Sequence, residues 1–237
     1  MFITTLIFVQ LAVYLIMTTL ERRYPAQHRP KQQGFYAVSA MLLLIATLWA
    51  QVMFYGYLAL PAIGPVLNTN PIIEGILFYL VYSLVNYWAH RIKHQWSIAW
   101  KYLHSMHHGP IHMESLIAFY RHPLEMIANA VVLFVLGKAV LNVSVEAVAM
   151  ALVIEGCLEA FHHSNIRTPR WLKPLGYLVQ LPEQHLVHHQ QGLHRYNYSP
   201  LTLWDTVFGT VQFSTGRSIK LGFKHSYRAW PYLTFKK

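Results

Sequence analysis

Long apolar runs separated by short polar stretches set the pattern of this chain. A helix needs about 20 mostly apolar residues to cross the hydrocarbon core of a bilayer. The apolar runs predict five spans, at residues 2–20, 35–60, 71–89, 123–141 and 143–161. The last two runs contain charged residues, so they also fit a tight helical hairpin. No basic residue precedes the first run and no small-residue cleavage site follows it, so we expect no cleaved signal peptide.

The chain beyond residue 161 is polar and basic, apart from one apolar stretch at 171–181 that Pro174 interrupts. Trp171 and Tyr177 within that stretch predict an interfacial segment at the level of the lipid headgroups. There is no internal repeat, low-complexity tract or flexible linker. We therefore predict an all-α protein with a single membrane domain over residues 1–237.

Composition supports a membrane protein and gives its predicted orientation. Apolar residues make up 54% of the chain and charged residues only 12%, against about 25% charged in soluble domains. Of the 19 basic residues, four fall at 22–31, four at 91–121 and ten beyond 166, which leaves Lys138 alone on the opposite side. The positive-inside rule places that basic face, and the C-terminus, in the cytoplasm. The basic surplus reflects this topology and attraction to anionic lipid, and the mean hydropathy of +0.29 argues against a nucleic-acid partner.

Histidine is over-represented, and it clusters on the predicted cytoplasmic side. The chain has 15 histidines and a single cysteine, Cys157, which excludes a thiolate-bound iron–sulfur cluster or zinc. One pair spaced by four and two His-x2-His-His triples stand out: His90 and His94; His104, His107 and His108; His185, His188 and His189. His163, preceded by His162, ends the fifth predicted span.

The spacing of these histidines predicts metal binding. Residues at i, i+3 and i+4 share one face of a helix, so one triple could supply ligands to two neighbouring metal ions. About nine imidazoles exceed the four ligands of one zinc and suit two ions, and imidazole binds Fe, Cu, Zn and Ni. An isolated His-x3-His pair is usually chance, but three such groups on one predicted face are not. We expect His28, His194 and His225 to be ordinary surface residues, and the spacing leaves His112 open.

An acidic ladder in the fifth run adds to this picture. Glu155, Glu159 and His163 are spaced by four and share a helix face. Carboxylates at membrane depth are costly and usually face a functional interior. Glu159 is therefore predicted to bind a metal, to orient His163, or to be a structural hydrogen-bond partner, whereas we expect Glu155 to be structural. Glu159 and His162 match only half of a carboxylate di-iron bundle motif, so that class is rejected.

Together, these motifs resemble the three histidine boxes of the sterol desaturase and fatty acid hydroxylase superfamily. The segment 163–169 resembles the His-(Ser/Ala)-Asn stretch of its bacterial members, and Arg121-His122-Pro123 also fits the family pattern. So do Pro182-Glu183, Asn197-Tyr198 and Trp204-Asp205 with the following 208–210. The resemblance extends from about residue 74 to 210.

The resemblance implies a bundle of about four to five spans with a cytoplasmic helical cap that carries the histidine boxes. Residues 1–70 would supply the N-terminal anchor spans and 71–214 the catalytic region. The implied metal ligands are His90, His94, His104, His107, His108, His163, His185, His188 and His189, with His162 and His122 as further candidates. Glu159 stands where some members have another histidine, and Glu159 and Asp205 are the candidate catalytic residues. The implied cofactors are two iron ions, with O2 as co-substrate.

The implied activity is O2-dependent hydroxylation or desaturation of a lipid C–H bond by an integral enzyme of the bacterial inner membrane. The substrate could be a sterol, carotenoid, fatty acyl, sphingoid or ether lipid. Electrons must come from an external cytochrome, ferredoxin or flavoprotein reductase, because the chain has no dinucleotide, flavin or haem motif. The alternatives are a metal transporter or chaperone, a zinc-dependent membrane hydrolase, and a bis-histidine haem protein.

Overall fold

The structure, a computed structural model, describes residues 1–28, 69–213 and 219–236, together with positions 40, 41, 45 and 64. The predicted span at 35–60 and the loop that follows it therefore lie almost entirely outside the described residues. The described residues form helices and turns without any strand, apart from one isolated bridge between Gln190 and Leu221. The all-α prediction is confirmed.

Four long helices form the body of the described chain. They are α1 (Phe2–Arg23), α2 (Pro71–Gln95), α3 (Pro123–Phe134), which continues as a π-helix over Val135–Val140, and α4 (Val145–His162). Three of them, α1, α2 and α3 with its π-helical continuation, are long and apolar enough to cross a membrane. The membrane-helix prediction is thus confirmed, while the exact number of crossings stays a prediction.

Shorter helical elements lie between the long helices and after them along the chain. They are a short helix (Ser97–Ala99) that runs into a π-turn (Trp100–His104), two 3-10 helices (Ser115–Phe119 and Arg170–Tyr177), α5 (Pro182–His188), α6 (Thr202–Val207) and α7 (Ala229–Leu233). Helix α2 extends past the predicted end at Ala89 to Gln95, so His90 and His94 lie on its last two turns.

The long helices begin where the sequence supplies a cap. Asn70, His122 and Ser144 each accept a hydrogen bond from a backbone N–H of the first turn of α2, α3 and α4. Pro71 and Pro123 occupy the first helical position, where the missing N–H costs nothing and the fixed φ suits the helix. These local signals explain why the predicted starts at 71 and 123 are correct.

Helix α4 lies between α1 and α2 and packs against both. Small residues allow the close approach to α2: a Cβ on Gly75 would lie only 2.5 Å from the Cβ of Met150. Ala147 and Ala151 are fully buried in the same interface, beside Phe78. Because lipid tails are as apolar as these side chains, tight packing rather than water exclusion holds membrane helices together.

Helix α1 is mostly exposed along its length but anchored at its C-terminal end. Ile7, Phe8 and Leu15 are exposed, as expected for a lipid-facing helix. The buried carboxylate of Glu21 accepts hydrogen bonds from the backbone N–H groups of Ser115 (2.9 Å) and Asn165 (3.1 Å). This carboxylate ties α1 to the segments that flank the histidine-bearing elements.

Candidate metal centre

The structure gathers nine of the predicted histidines into two adjacent clusters. In each cluster one ligand nitrogen per ring lies within 4.8 Å of the others. The five-histidine cluster contains His90, His94, His104, His108 and His188, and the four-histidine cluster contains His107, His163, His185 and His189. These nine are the histidines that the family resemblance implied as metal ligands.

Each His-x2-His-His box is divided between the two clusters. The i and i+4 members of the first box, His104 and His108, lie in the five-histidine cluster, whereas His107 lies in the other. The second box is divided in the opposite sense, because His185 and His189 lie in the four-histidine cluster and His188 in the five-histidine cluster. Each cluster therefore contains the i and i+4 histidines of one box and the i+3 histidine of the other box.

The ring nitrogens are spaced as ligands of a common ion would be. In the five-histidine cluster the Nε2 atom of His104 lies 2.9 Å from that of His90 and 3.2 Å from that of His108. In the other cluster the Nε2 atom of His185 lies 2.9 Å from that of His163 and 3.1 Å from that of His189. Two nitrogens bound at about 2.1 Å lie about 3.0 Å apart at right angles and about 3.4 Å apart in a tetrahedron. The observed distances lie close to these values, so they fit ring nitrogens that share one ion.

Hydrogen bonds to Nδ1 leave the lone pairs of Nε2 facing one another. The Nδ1 of His90 donates to the carbonyl of Tyr198 (2.5 Å), and that of His188 to the carbonyl of Tyr196 (2.7 Å). A carbonyl oxygen only accepts, so the proton of each neutral ring resides on Nδ1. His104 is fixed in the same way by Glu125, so the Nε2 lone pairs of His90 and His104 meet at 2.9 Å. A shared cation removes that repulsion, so the residues present fit a metal ion.

A buried ion pair positions His104 from outside the five-histidine cluster. Oε1 of Glu125 accepts from Nδ1 of His104 at 2.7 Å and from Nζ of Lys93 at 2.8 Å. Lys93 also donates to the side chain of Asn129 at 3.0 Å. Since the Glu125 side chain is completely buried, Lys93 compensates its charge. A carboxylate behind a ligating imidazole orients the ring and raises its basicity.

A second carboxylate lies behind the four-histidine cluster. Glu159 accepts from the guanidinium of Arg121 at 2.5 Å, and the same oxygen lies 3.3 Å from Nδ1 of His163. His163 also donates from Nδ1 to the backbone carbonyl of Glu159, and its Nε2 faces the cluster. Glu159 can orient His163 in this geometry, and with His162 and His163 it also forms a group that could hold a metal ion. Glu155 instead accepts from Tyr79 and Asn86, as expected for a structural partner.

Asp205, a candidate catalytic residue, lies in neither cluster. Its carboxylate accepts from the backbone N–H groups of Tyr198 (2.8 Å) and Ser199 (2.9 Å) and from the hydroxyl of Thr210 (2.7 Å). The carbonyl of Tyr198 is the acceptor that holds His90. The backbone of Tyr198 therefore links Asp205 to His90 of the five-histidine cluster.

The structure also separates the remaining predicted histidines. His122, a candidate ligand, instead caps α3 through Nδ1 and stacks on Phe235 at 4.7 Å, outside both clusters. His162 is buried beside the four-histidine cluster, 4.1 Å from His185 between ring centroids, but its Nε2 lies 3.6 Å from Glu159.

The prediction that His194 is an ordinary surface residue is wrong. The ring is half-buried and lies 4.7 Å from His108 and 4.8 Å from Trp100 between ring centroids. His28 and His225 are exposed, as predicted. His112, which the spacing left open, is buried with its ring nitrogen 3.8 Å from Glu114.

Burial keeps the cluster histidines in the neutral form that binds metals. It lowers the pKa of each of the seven cluster histidines outside the membrane helices: His104, His107, His108, His163, His185, His188 and His189. For most of them, neighbouring imidazoles lower the pKa further, because a second positive charge nearby is unfavourable.

A small cavity of about 20 Å³ lies against both clusters. Its wall includes His90, His107, Glu125, Glu159 and Gln180. About 15 Å³ is enough for one water-sized molecule. The cavity therefore has room for a small molecule in contact with rings from each cluster and with both carboxylates.

Three supporting residues were not predicted from the sequence. Lys93 was counted only as a topology charge, Arg121 as a topology charge and part of the Arg121-His122-Pro123 match, and Glu125 only as an interruption of an apolar run. Glu125 had a detectable signal, because a carboxylate inside a predicted span normally has a partner. Neither its link to His104 nor the role of the Tyr198 carbonyl has a signature in the sequence.

Comparison with known proteins agrees with the geometry. The family model for fatty acid hydroxylases matches residues 75–210. The very-long-chain aldehyde decarbonylase GL1-4 of Oryza sativa subsp. indica is 28% identical over 180 residues, 69% of this chain and 28% of that protein. The decarbonylase GL1-9 of the same subspecies is 30% identical over 150 residues, 59% of this chain and 56% of that protein. The chain thus spans about a quarter to about half of the length of these relatives, and no solved structure matches it. The chain belongs to the fatty acid hydroxylase family of the sterol desaturase superfamily.

Proposed function

We propose that this protein is a membrane-bound di-iron oxidoreductase that uses O2 to hydroxylate or desaturate a C–H bond of a lipid. The observation that carries the proposal is the convergence of Nε2 atoms in two adjacent clusters of five and four histidines. The family match over residues 75–210 supports it. Nine histidines in two clusters also argue against the alternative of a single tetrahedral zinc, which takes about four ligands.

The residues of the chain would hold and orient the metal centre. The five-histidine and four-histidine clusters would each bind one iron, and the iron pair would supply the reduction of O2 that makes a C–H bond reactive. The Glu125–Lys93 pair fixes the ring of His104, and the Glu159–Arg121 pair fixes the ring of His163. Both carboxylates raise the basicity of the rings behind which they lie.

Burial of the site would protect the reaction from water. All nine cluster rings are buried or half-buried, and the cavity against them holds little more than one small molecule. Helix α2 carries His90 and His94 and is apolar enough to cross a membrane. A lipid could therefore approach from the bilayer without passing through water, which suits a site that must exclude water from a reactive intermediate.

Electrons would come from an external carrier. A cavity of about 500 Å³ beside the five-histidine cluster is lined by His94, His194, Arg91 and Arg195. The two arginines give this surface the positive charge that an acidic cytochrome, ferredoxin or flavoprotein would complement. We place this face in the cytoplasm, as the distribution of basic residues predicts.

A second candidate reaction is the decarbonylation of a long-chain aldehyde. It is favoured by the two relatives that are named as very-long-chain aldehyde decarbonylases. An aldehyde substrate would lose its carbonyl carbon and give a hydrocarbon one carbon shorter, which distinguishes it from hydroxylation or desaturation.

The proposal is tested by metal analysis and lipid profiling. Purified protein should contain two irons per chain without haem absorbance, and a deletion strain should lose one oxidised or unsaturated lipid. Feeding long-chain aldehydes and measuring shortened hydrocarbons tests the second candidate. A single zinc per chain, or haem absorbance, would contradict the di-iron assignment.

A further inference from the structure

A third cavity lies on the side of α5 away from the metal clusters. Its volume is about 610 Å³, and its wall includes Leu181, Glu183, Gln184 and Leu186 from the start of α5 and the residue before it. His185 and His188 on the same helix belong to the metal clusters. Helix α5 is therefore the partition between this cavity and the metal centre.

Three basic side chains line this cavity and outnumber Glu183, the carboxylate in the same wall. Arg167, Arg170 and Lys173 line it and are exposed. Across the described ranges of the chain, none of them forms an ion pair or a side-chain hydrogen bond. The carboxylate of Glu183 accepts from the backbone N–H (2.8 Å) and the hydroxyl (2.7 Å) of Thr168, which fix its position. Its single negative charge leaves the three basic residues in excess around the cavity.

The 3-10 helix Arg170–Tyr177 separates charge from apolar surface. A 3-10 helix has three residues per turn, so side chains at i and i+3 lie above one another. Arg170 and Lys173 therefore share one face, and Trp171 and Tyr177 share another. The two aromatic rings are 77% and 56% exposed. Aromatic rings next to basic residues are typical of the headgroup level of a bilayer.

The rest of the cavity wall suits an apolar chain. Leu181, Leu186 and Phe213 line it. Ala26 and Gln27 complete the wall just after the end of α1, one of the helices that are long and apolar enough to cross a membrane. Their backbone N–H groups are fixed by Asn165, at 2.9 Å each. The opening therefore combines a basic rim, an apolar wall and a position at the end of a membrane helix.

We propose that this cavity binds an anionic membrane lipid. Its phosphate group would lie among Arg167, Arg170 and Lys173, and its first acyl carbons against Leu186 and Phe213. Partition by α5 makes this a lipid site distinct from the reaction site. The proposal concerns binding alone and does not depend on the di-iron proposal.

The test is native mass spectrometry of the full-length protein released from nanodiscs that contain phosphatidylglycerol or phosphatidylcholine. The wild-type protein should retain one bound phosphatidylglycerol, and it should retain phosphatidylcholine less strongly. Each basic residue contributes roughly a fivefold preference for anionic lipid, so the R167Q/R170Q/K173Q variant should lose affinity by about a hundredfold. The matched control, K220Q/K224Q/R228Q, removes the same charge from exposed positions outside the cavity and should retain the lipid.

Leu186→Trp fills the cavity without a change in charge and should also expel the lipid, which keeps the test valid if the triple variant does not fold. Equal loss in both triple variants, equal retention of the two lipids, or displacement of phosphatidylglycerol by millimolar inorganic phosphate would each overturn the proposal. Iron content is measured in parallel, so a protein without iron that still retains phosphatidylglycerol refutes only the di-iron assignment.

Discussion

Replacing Glu125 with glutamine should lower the metal affinity of the five-histidine cluster and the stability of the fold. The two effects have separate causes. The substitution keeps the shape but removes the charge that Lys93 and His104 share at 2.8 and 2.7 Å. Loss of a carboxylate behind a ligating histidine costs about 10–100-fold in metal affinity. Leaving Lys93 buried without its partner costs about 3–5 kcal/mol of stability.

Adding Lys93→Met to Glu125→Gln separates the two effects. Removal of both charges should restore most of the thermal stability of the metal-free protein in detergent, because no unpaired charge remains buried. Metal affinity should stay low, since His104 still lacks its carboxylate. Chelator titration gives the affinity and thermal unfolding the stability, with Glu146→Gln at the far end of α4 as the matched control. Wild-type chelator resistance in Glu125→Gln would refute the argument.

Three further results are expected. Glu159→Gln should lower the iron content, because it removes the charge behind His163, whereas Glu155→Gln should be mild; the reverse order in elemental analysis would contradict the assigned roles. His107→Ala should abolish activity and reduce bound iron, while the exposed His225→Ala should do neither, and equal activity of the two variants would disprove the role of the four-histidine cluster. The metal-free protein should lose stability as the pH falls below about 6.5, because the unfolded chain takes up protons that the folded clusters do not. The loss should reach up to about 1.4 kcal/mol per pH unit for each buried histidine. A stability that is independent of pH from about 7.5 to about 5.5 would contradict this.

Local features were predictable from the sequence, and long-range pairings were not. Pro71 and Pro123 marked helix starts correctly because a cap and a proline act within one turn. The spacing of the boxes identified which rings share a short segment, but the exchange of His107 and His188 between clusters depends on how distant segments pack. His122, a candidate ligand, lies outside both clusters, and here the reason is local, because a histidine before a proline can cap a helix as readily as it binds a metal.

The opposite division of the two boxes has a consequence for the separation between two metal ions bound by the clusters. His107 and His108 are adjacent in sequence with ring centroids 5.6 Å apart, and His188 and His189 are adjacent at 5.5 Å. In both pairs one ring belongs to each cluster. With one ion bound in each cluster, these two single peptide steps would limit how far apart the ions can lie, because the backbone between neighbouring residues has a fixed length. The helices around the clusters could then shift slightly without a large change in that separation.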